Sequence, residues 1–375
     1  MRKLMKQRGF SLIELMVGMT LSLLGILVIL QVLVSMQKNK KDTVSSGDAQ
    51  QNGAMALYEI GNTVGSAGYG IASTILNSKD VCTNAVGAYL PVSGYKSGSP
   101  GADFNFWLAP VVITDGAGGN ADAITVMQGN TSGTVSPMDV AAATADMVTV
   151  AAGTTFNFNL GDVFLMHQSG KGCMIGQVTD KDAVSSLTYT AGAIFLSPYT
   201  NTNDKAKYNK AGGITAADAT LFKFTDGAKV LNLGPAPLLT TYSVINGALN
   251  SDASAVFEGV NEVVADGIVN LQAQYGVDTN GDGSVDKYVN APAGNPPLPD
   301  VNADGIVNHA DWARIRAIRV AILARGIQRE NACNSTQPSW SGGVFDMTTL
   351  VDWKCYRYRV FETVMPLRNV VWDPT

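Results

Sequence analysis

The chain has 375 residues, 46% hydrophobic and only 15% charged, with 39 glycines. That length supports a large core, and the glycine-rich, weakly charged composition excludes a helical bundle and points to short strands joined by turns. The net charge is −5, and with no Lys/Arg run interleaved with aromatics the chain is excluded as a non-specific nucleic-acid binder. Two histidines and four dispersed cysteines without a CxxC pair argue against zinc.

Residues 1–9 are a basic leader carrying Arg2, Lys3, Lys6 and Arg8 and no acid; losing these four charges takes the net charge from −5 to −9. The run from Phe10 to Val34 is apolar apart from Glu14. As a helix it is roughly 37 Å long, enough to cross a bilayer with some tilt, and the basic leader would stay on the cytoplasmic side. It is longer than a secretory signal core and lacks a small-x-small exit. A carboxylate inside such a span is expensive and needs a partner.

The stretch Arg8-Gly9-Phe10-Ser11-Leu12-Ile13-Glu14 resembles the signal of type IV prepilins and pseudopilins. The resemblance implies cleavage by a prepilin peptidase between Gly9 and Phe10, methylation of the new N-terminus at Phe10, and pairing of Glu14 with the N-terminal ammonium of a neighbouring subunit. That pairing would offset two buried charges and set axial register as subunits leave the inner membrane.

Residues 35–70 are expected to continue the helix onto a head. Ala56, Ile60 and Val64 recur at helical spacing, Gly53 breaks the stripe at its start, an interruption is expected near Gly47, and the glycines at 65–70 end the helix. Residues 71–375 are expected to form a mainly antiparallel β head, giving an α+β, type IV pilin-like fold. Strand-like runs are 123–127, 163–167 and 174–178 around a turn at 169–172, 194–196, 221–224, 242–245 and 356–364. The run 318–322 suits a strand or a helix.

Three later segments, Leu271–Asp278, Arg316–Arg325 and Arg359–Asn369, resemble the PilW-type minor pilins. This implies a low-abundance pilin that primes pilus assembly at or near the tip, with other minor pilins, the major pilin and a tip adhesin as partners. A minor pseudopilin of a type II secretion system, a calcium-dependent tip adhesin and a membrane-anchored hydrolase are the alternatives. Neither GxSxG nor a P-loop is present, so no enzyme is expected.

A calcium-loop-like segment spans 278–311. In Asp300–Asp311, oxygen side chains stand at positions one, three, five, nine and twelve with Gly305 at six, as a calcium loop requires; the loop resembles the dockerin variant of the EF-hand. The expected Ca2+ ligands are Asp300, Asn302, Asp304, the Ile306 carbonyl, Asn308 through water, and Asp311. A poorer copy offers Asp278, Asn280, Asp282, Ser284 and Asp286, with Val289 at the twelfth position lacking a ligand atom. In an exported chain Cys82, Cys173, Cys333 and Cys355 are expected to form disulfides; Cys333–Cys355 with Cys82–Cys173 is one of three connectivities.

Overall fold

The computed structural model describes residues 11–71, 81–83, 91–94, 104–133, 135–210, 224–225, 227–253, 257, 259–294, 296–330 and 332–371. The expected strand at 221–224 falls mostly outside these residues.

Helix α1 runs without a break over Leu12–Gly65, about 80 Å at the usual rise per residue. Its first part, Leu12–Gln37, is long and apolar enough to cross a membrane, and none of it is covered by the rest of the chain. Its hydroxyls find partners within the helix: Thr20 donates to the carbonyls of Met16 (3.2 Å) and Val17 (2.9 Å), and Ser22 to that of Gly18 (2.8 Å). A polar side chain can therefore sit in lipid without an external acceptor.

The expected interruption near Gly47 is absent. Gly47 faces open space, and a single glycine costs a helix only about 1 kcal/mol. Contacts on both sides of it offset that cost: Ser45 Oγ accepts the Gln328 amide at 3.2 Å, and Ala49 is buried in the core.

Gly53 belongs to the apolar stripe rather than breaking it. Ala49, Gly53, Ala56, Ile60 and Val64 lie on one buried face, and a Cβ on Gly53 would stand 2.2 Å from the Phe361 ring. The glycine lets the helix backbone approach the sheet. Full burial of Ile60 and Val64 contributes about 1.5–3 kcal/mol each. At the end of the helix, Thr63 Oγ1 and Tyr242 Oη share a 2.7 Å hydrogen bond. Beyond it the turn donates from Gly68 N to Met127 O at 2.8 Å.

Two antiparallel sheets lie next to α1. The first contains β1 (Val111–Thr114), β2 (Ala123–Gln128), β3 (Leu238–Ile245), β4 (Ala248–Asp252) and β5 (Asn261–Asp266), in the order β5-β4-β3-β2-β1. The second contains β6 (Ile268–Val277), β7 (Lys287–Asn290), β8 (Ile315–Arg325) and β9 (Tyr358–Pro366), in the order β7-β6-β8-β9. Helix α1 packs on β9, β8 and β5.

The segment 318–322 is a strand because both faces of β8 are covered. Ile318, Val320, Ile322 and Ala324 join the core shared with α1. Ala321 and Leu323 face Phe345 and Met347 of the loop between Cys333 and Cys355. A strand buried on both sides carries continuous apolar sequence, which is why its period was ambiguous.

A third sheet of nine strands starts at Phe104–Phe106 and Val92–Gly94 and ends at Asp180–Lys181. Its centre holds the hairpin Val163–His167 with Met174–Gln177, paired antiparallel. The contact of Ser93 with Met174 is parallel; the other ladders are antiparallel. Cys82–Cys173 and Cys333–Cys355 are both disulfide-bonded, at separations of 91 and 22 residues.

Buried Asp122 joins the first two sheets. It accepts from Ala273 N of β6 (2.8 Å) and from Gly116 N (2.9 Å), while its own amide donates to Leu271 O (2.8 Å). Burial pushes its carboxyl up to about 6, against the pull of the Gly116 and Ala273 amides and with a further push from Asp115.

Two outcomes follow from these contacts. Replacing a mid-helix glycine by alanine ordinarily stabilises by about 0.5–1 kcal/mol. Here Gly53→Ala should destabilise by about 1–3 kcal/mol through overpacking, and adding Phe361→Leu should recover part of the loss. Denaturant unfolding of the single and double variants checks this, and a more stable single variant would contradict it. For Asp122 the folded pKa lies above the unfolded value of 3.8, so its stabilising effect is complete below 3.8 and lost as pH rises through about 6. Asp122→Asn stays neutral, so its stability relative to the parent should rise across that window and level off above it. Parallel pH–stability curves for the two proteins would refute the assignment.

Candidate functional site

Two regions carry the candidate functional residues: the start of α1 and the pair of acidic loops at one end of the second sheet. Gly9 and Phe10 lie outside the described residues. Glu14 sits in the first turn of α1. It is exposed on the uncovered part of the helix, and among the described residues no ion pair engages it. A carboxylate near a helix N-terminus is favoured by the macrodipole, and its exposure leaves it available to a group from another subunit.

In the loop 300–311 the backbone takes a left-handed conformation at Ala303 (φ 58°) and Gly305 (φ 84°), the fourth and sixth positions. Asp300 Oδ2 accepts Gly305 N at 2.8 Å. Asp304 Oδ1 accepts Ile306 N at 2.8 Å, and Asn302 Nδ2 donates to Asp304 Oδ2 at 2.9 Å. Buried Asp311 closes the loop: it accepts Val301 N (2.7 Å) and Asn302 N (3.2 Å) on one oxygen and Asn308 N (2.9 Å) on the other. Burial pushes the Asp311 carboxyl up despite these amides, and the neighbouring Asp300 charge adds to the rise.

Asn308 and Asp311 form a capping box on the short helix α2, His309–Trp312. Asn308 Nδ2 also reaches the Ile306 carbonyl at 3.4 Å. Behind the helix, Trp312 packs edge-to-face on Tyr275, 6.3 Å between centroids at 90°. Tyr275 Oη accepts Ile113 N at 2.6 Å and donates to Pro297 O at 3.2 Å. One buried ring thus links the loop, the segment at Pro297 and both sheets.

The loop 278–286 follows the same plan in fewer residues. Gly281 (φ 81°) and Gly283 (φ 89°) hold its fourth and sixth positions. Asp286 accepts from Thr279 N (2.7 Å) and Asn280 N (3.3 Å), the second and third amides that Asp311 takes in the other loop. The closing carboxylate therefore stands at position nine. Val289, the expected twelfth position, belongs to β7 and pairs with Tyr275. Asp282 and Ser284 are exposed and bonded within the turn, Ser284 N donating to Asp282 Oδ1 at 2.8 Å.

Sequence reasoning missed Arg316. Its guanidinium donates to Asp278 Oδ2 from Nε (3.3 Å) and Nη2 (3.2 Å). Burial raises the Asp278 carboxyl, but the Gly283 and Gly281 amides together with Arg316 hold it below the usual carboxylate range. A cation of the protein's own thus sits at the first ligand position of this loop. No spacing rule could find that partner, since it arrives by strand pairing from a distant segment.

The side chains themselves do not form a ready metal cluster: among the described residues no group of three or more acidic, His or Cys side chains converges. What the loop 300–311 does offer is a set of hard oxygen donors on a backbone bent at the required positions.

A long apolar helix bearing an acidic residue in its first turn, continued onto an antiparallel β head, defines the class: a type IV pilin-like α+β protein. Residues 4–30 match the prokaryotic N-terminal methylation motif, and residues 246–369 match the family of the type IV pilus-assembly protein W. The two matches make the chain similar to a PilW-family type IV pilin with a prepilin signal. The second match spans β4 to β9, both acidic loops and the Cys333–Cys355 loop. No curated protein and no solved structure matches this chain.

Proposed function

We propose that this chain is a minor pilin that primes type IV pilus assembly, processed by prepilin peptidase and located at or near the pilus tip. The observation that carries the reading is Glu14, exposed in the first turn of an otherwise apolar helix whose preceding residues match the methylation motif. On this reading cleavage after Gly9 frees the amine of Phe10, and Glu14 neutralises the amine of a neighbouring subunit. The chain waits in the inner membrane as a single-pass protein with its head outside the cytoplasm. Its partners are the other minor pilins, the major pilin and a tip adhesin. The match to the pilus-assembly family favours a pilus over a type II secretion pseudopilus, the second reading.

Calcium at the 300–311 loop is part of the proposal. Its support is the ligand spacing and the left-handed backbone at Ala303 and Gly305. Asp300, Asn302, Asp304, the Ile306 carbonyl and Asp311 would hold the ion. The loop 278–286 is the weaker candidate because Arg316 already neutralises Asp278.

Three experiments test these statements. Gly9→Val should block processing, leaving the leader on the membrane-bound protein. Glu14→Ala should be processed normally yet fail to restore piliation in a strain lacking this gene. Normal piliation with Glu14→Ala would overturn the register role. For calcium, the full-length protein in detergent should melt at a higher temperature in excess calcium than in chelator, and Asp304→Ala should abolish the difference. Equal melting temperatures with and without the ion would remove calcium from the account.

A further inference from the structure

The loop that follows β8 lies against the part of α1 just past the apolar run. Gln328 N donates to Ser45 Oγ at 3.2 Å. Gly326 permits this approach, since a Cβ there would stand 2.7 Å from the same oxygen. Between them Ile327 projects outward and is 73% exposed. It shares the walls of an open cleft with Gln37, Lys40, Lys41, Val44 and Gln328. Gln37 is the last residue of the membrane-length segment, and Lys41 and Ser45 follow it by one and two helical turns, about 6 and 12 Å of rise.

The backbone hydrogen bonds of its two neighbours, Gly326 N to Arg357 O at 2.9 Å and Gln328 N to Ser45 Oγ, hold this isoleucine beside the end of the apolar run. Val44, also on the cleft, is exposed as well. The two lysines make no ion pair among the described residues, and two acids close to this loop are held by arginines: Asp352 pairs with Arg329 at 3.3 Å and Glu330 with Arg357. The Arg329–Asp352 pair also ties the turn carrying Val351, 85% exposed, to the chain two residues beyond Ile327. Apolar tips among unpaired cations are the chemistry of an anionic phospholipid surface: the aliphatic groups enter the interface while the lysines meet phosphates.

We propose that this base of the head is a membrane seat, with Ile327 and Val44 entering the interface of the bilayer from which α1 emerges and Lys40 and Lys41 binding its anionic headgroups. The seat rests on the reading that Leu12–Gln37 spans the membrane. It would restrict the tilt of the head before the subunit leaves the bilayer, because α1 and the loop at Ile327 are two separate points of attachment.

The test uses the full-length chain in vesicles of phosphatidylglycerol and phosphatidylcholine, with bromine on shallow acyl carbons as quencher. The parent chain sets the background of the native tryptophans. Ile327→Trp should add fluorescence that the brominated vesicles quench, and Lys40→Gln with Lys41→Gln should diminish that loss. Leu24→Trp, at mid-span, reports the span independently in vesicles brominated on deep acyl carbons. Quenching at position 24 without quenching at 327 would overturn the seat and leave the span standing, as expected if a protein neighbour covers the cleft instead. No quenching at either position would overturn the spanning reading and the seat with it. Equal quenching at 327 in pure phosphatidylcholine vesicles would overturn the role given to the lysines.

Discussion

The architecture depends on the close approach of α1 to the second sheet at Gly53. One helix combines an apolar segment of membrane length, Leu12–Gln37, with a face packed in a protein core from Ala49 onward. A uniformly apolar helix would serve the first, but the second needs a single stripe and a matched surface. The missing side chain at Gly53 admits the Phe361 ring, and Ala49, Ala56, Ile60 and Val64 bury the rest of the stripe. Ser45 and Thr63 then fix the helix by hydrogen bonds near either end of the contact. The orientation of the head relative to the membrane segment is set by these few residues, because α1 is continuous between the two.

The second sheet carries that load because it is covered on both faces. One face of β8 meets the helix core, and the other is closed by the loop stapled between Cys333 and Cys355. In the chain-entropy account a closed loop of this size stabilises by about 3 kcal/mol. At one end of the sheet the acidic loops use carboxylates to gather their own backbone amides, with Arg316 balancing Asp278 and α2 packing Trp312 on Tyr275. The segment matched to the pilus-assembly family covers this sheet and its loops together with β4 and β5 of the first sheet.

Local patterns in the sequence reveal the features whose causes are local. The stretch that matches the methylation motif is one short segment, and the apolar run is read from length and composition. The hairpin 163–177 and the turns at Gly281, Gly283 and Gly305 are likewise set by neighbouring residues. Features made by distant partners were not readable. Gly53 looked like a defect because its partner, Phe361, comes from the last strand. The 278–286 loop departs from a twelve-residue spacing because Asp286 closes it at position nine. Strand 315–325 read ambiguously since burial of both its faces erases alternation. The order of the nine-stranded sheet and the linking role of Asp122 leave no periodic trace.

The central claim is that a single processed helix forms both the membrane segment and the backbone of the head, and so enters the filament with it. Intact-mass and N-terminal analysis of this chain recovered from sheared pili tests that claim most directly. The account predicts a chain that begins at methylated Phe10 and carries two closed disulfides. A chain found only in membranes with its leader attached, or one cut beyond Gln37, would contradict it.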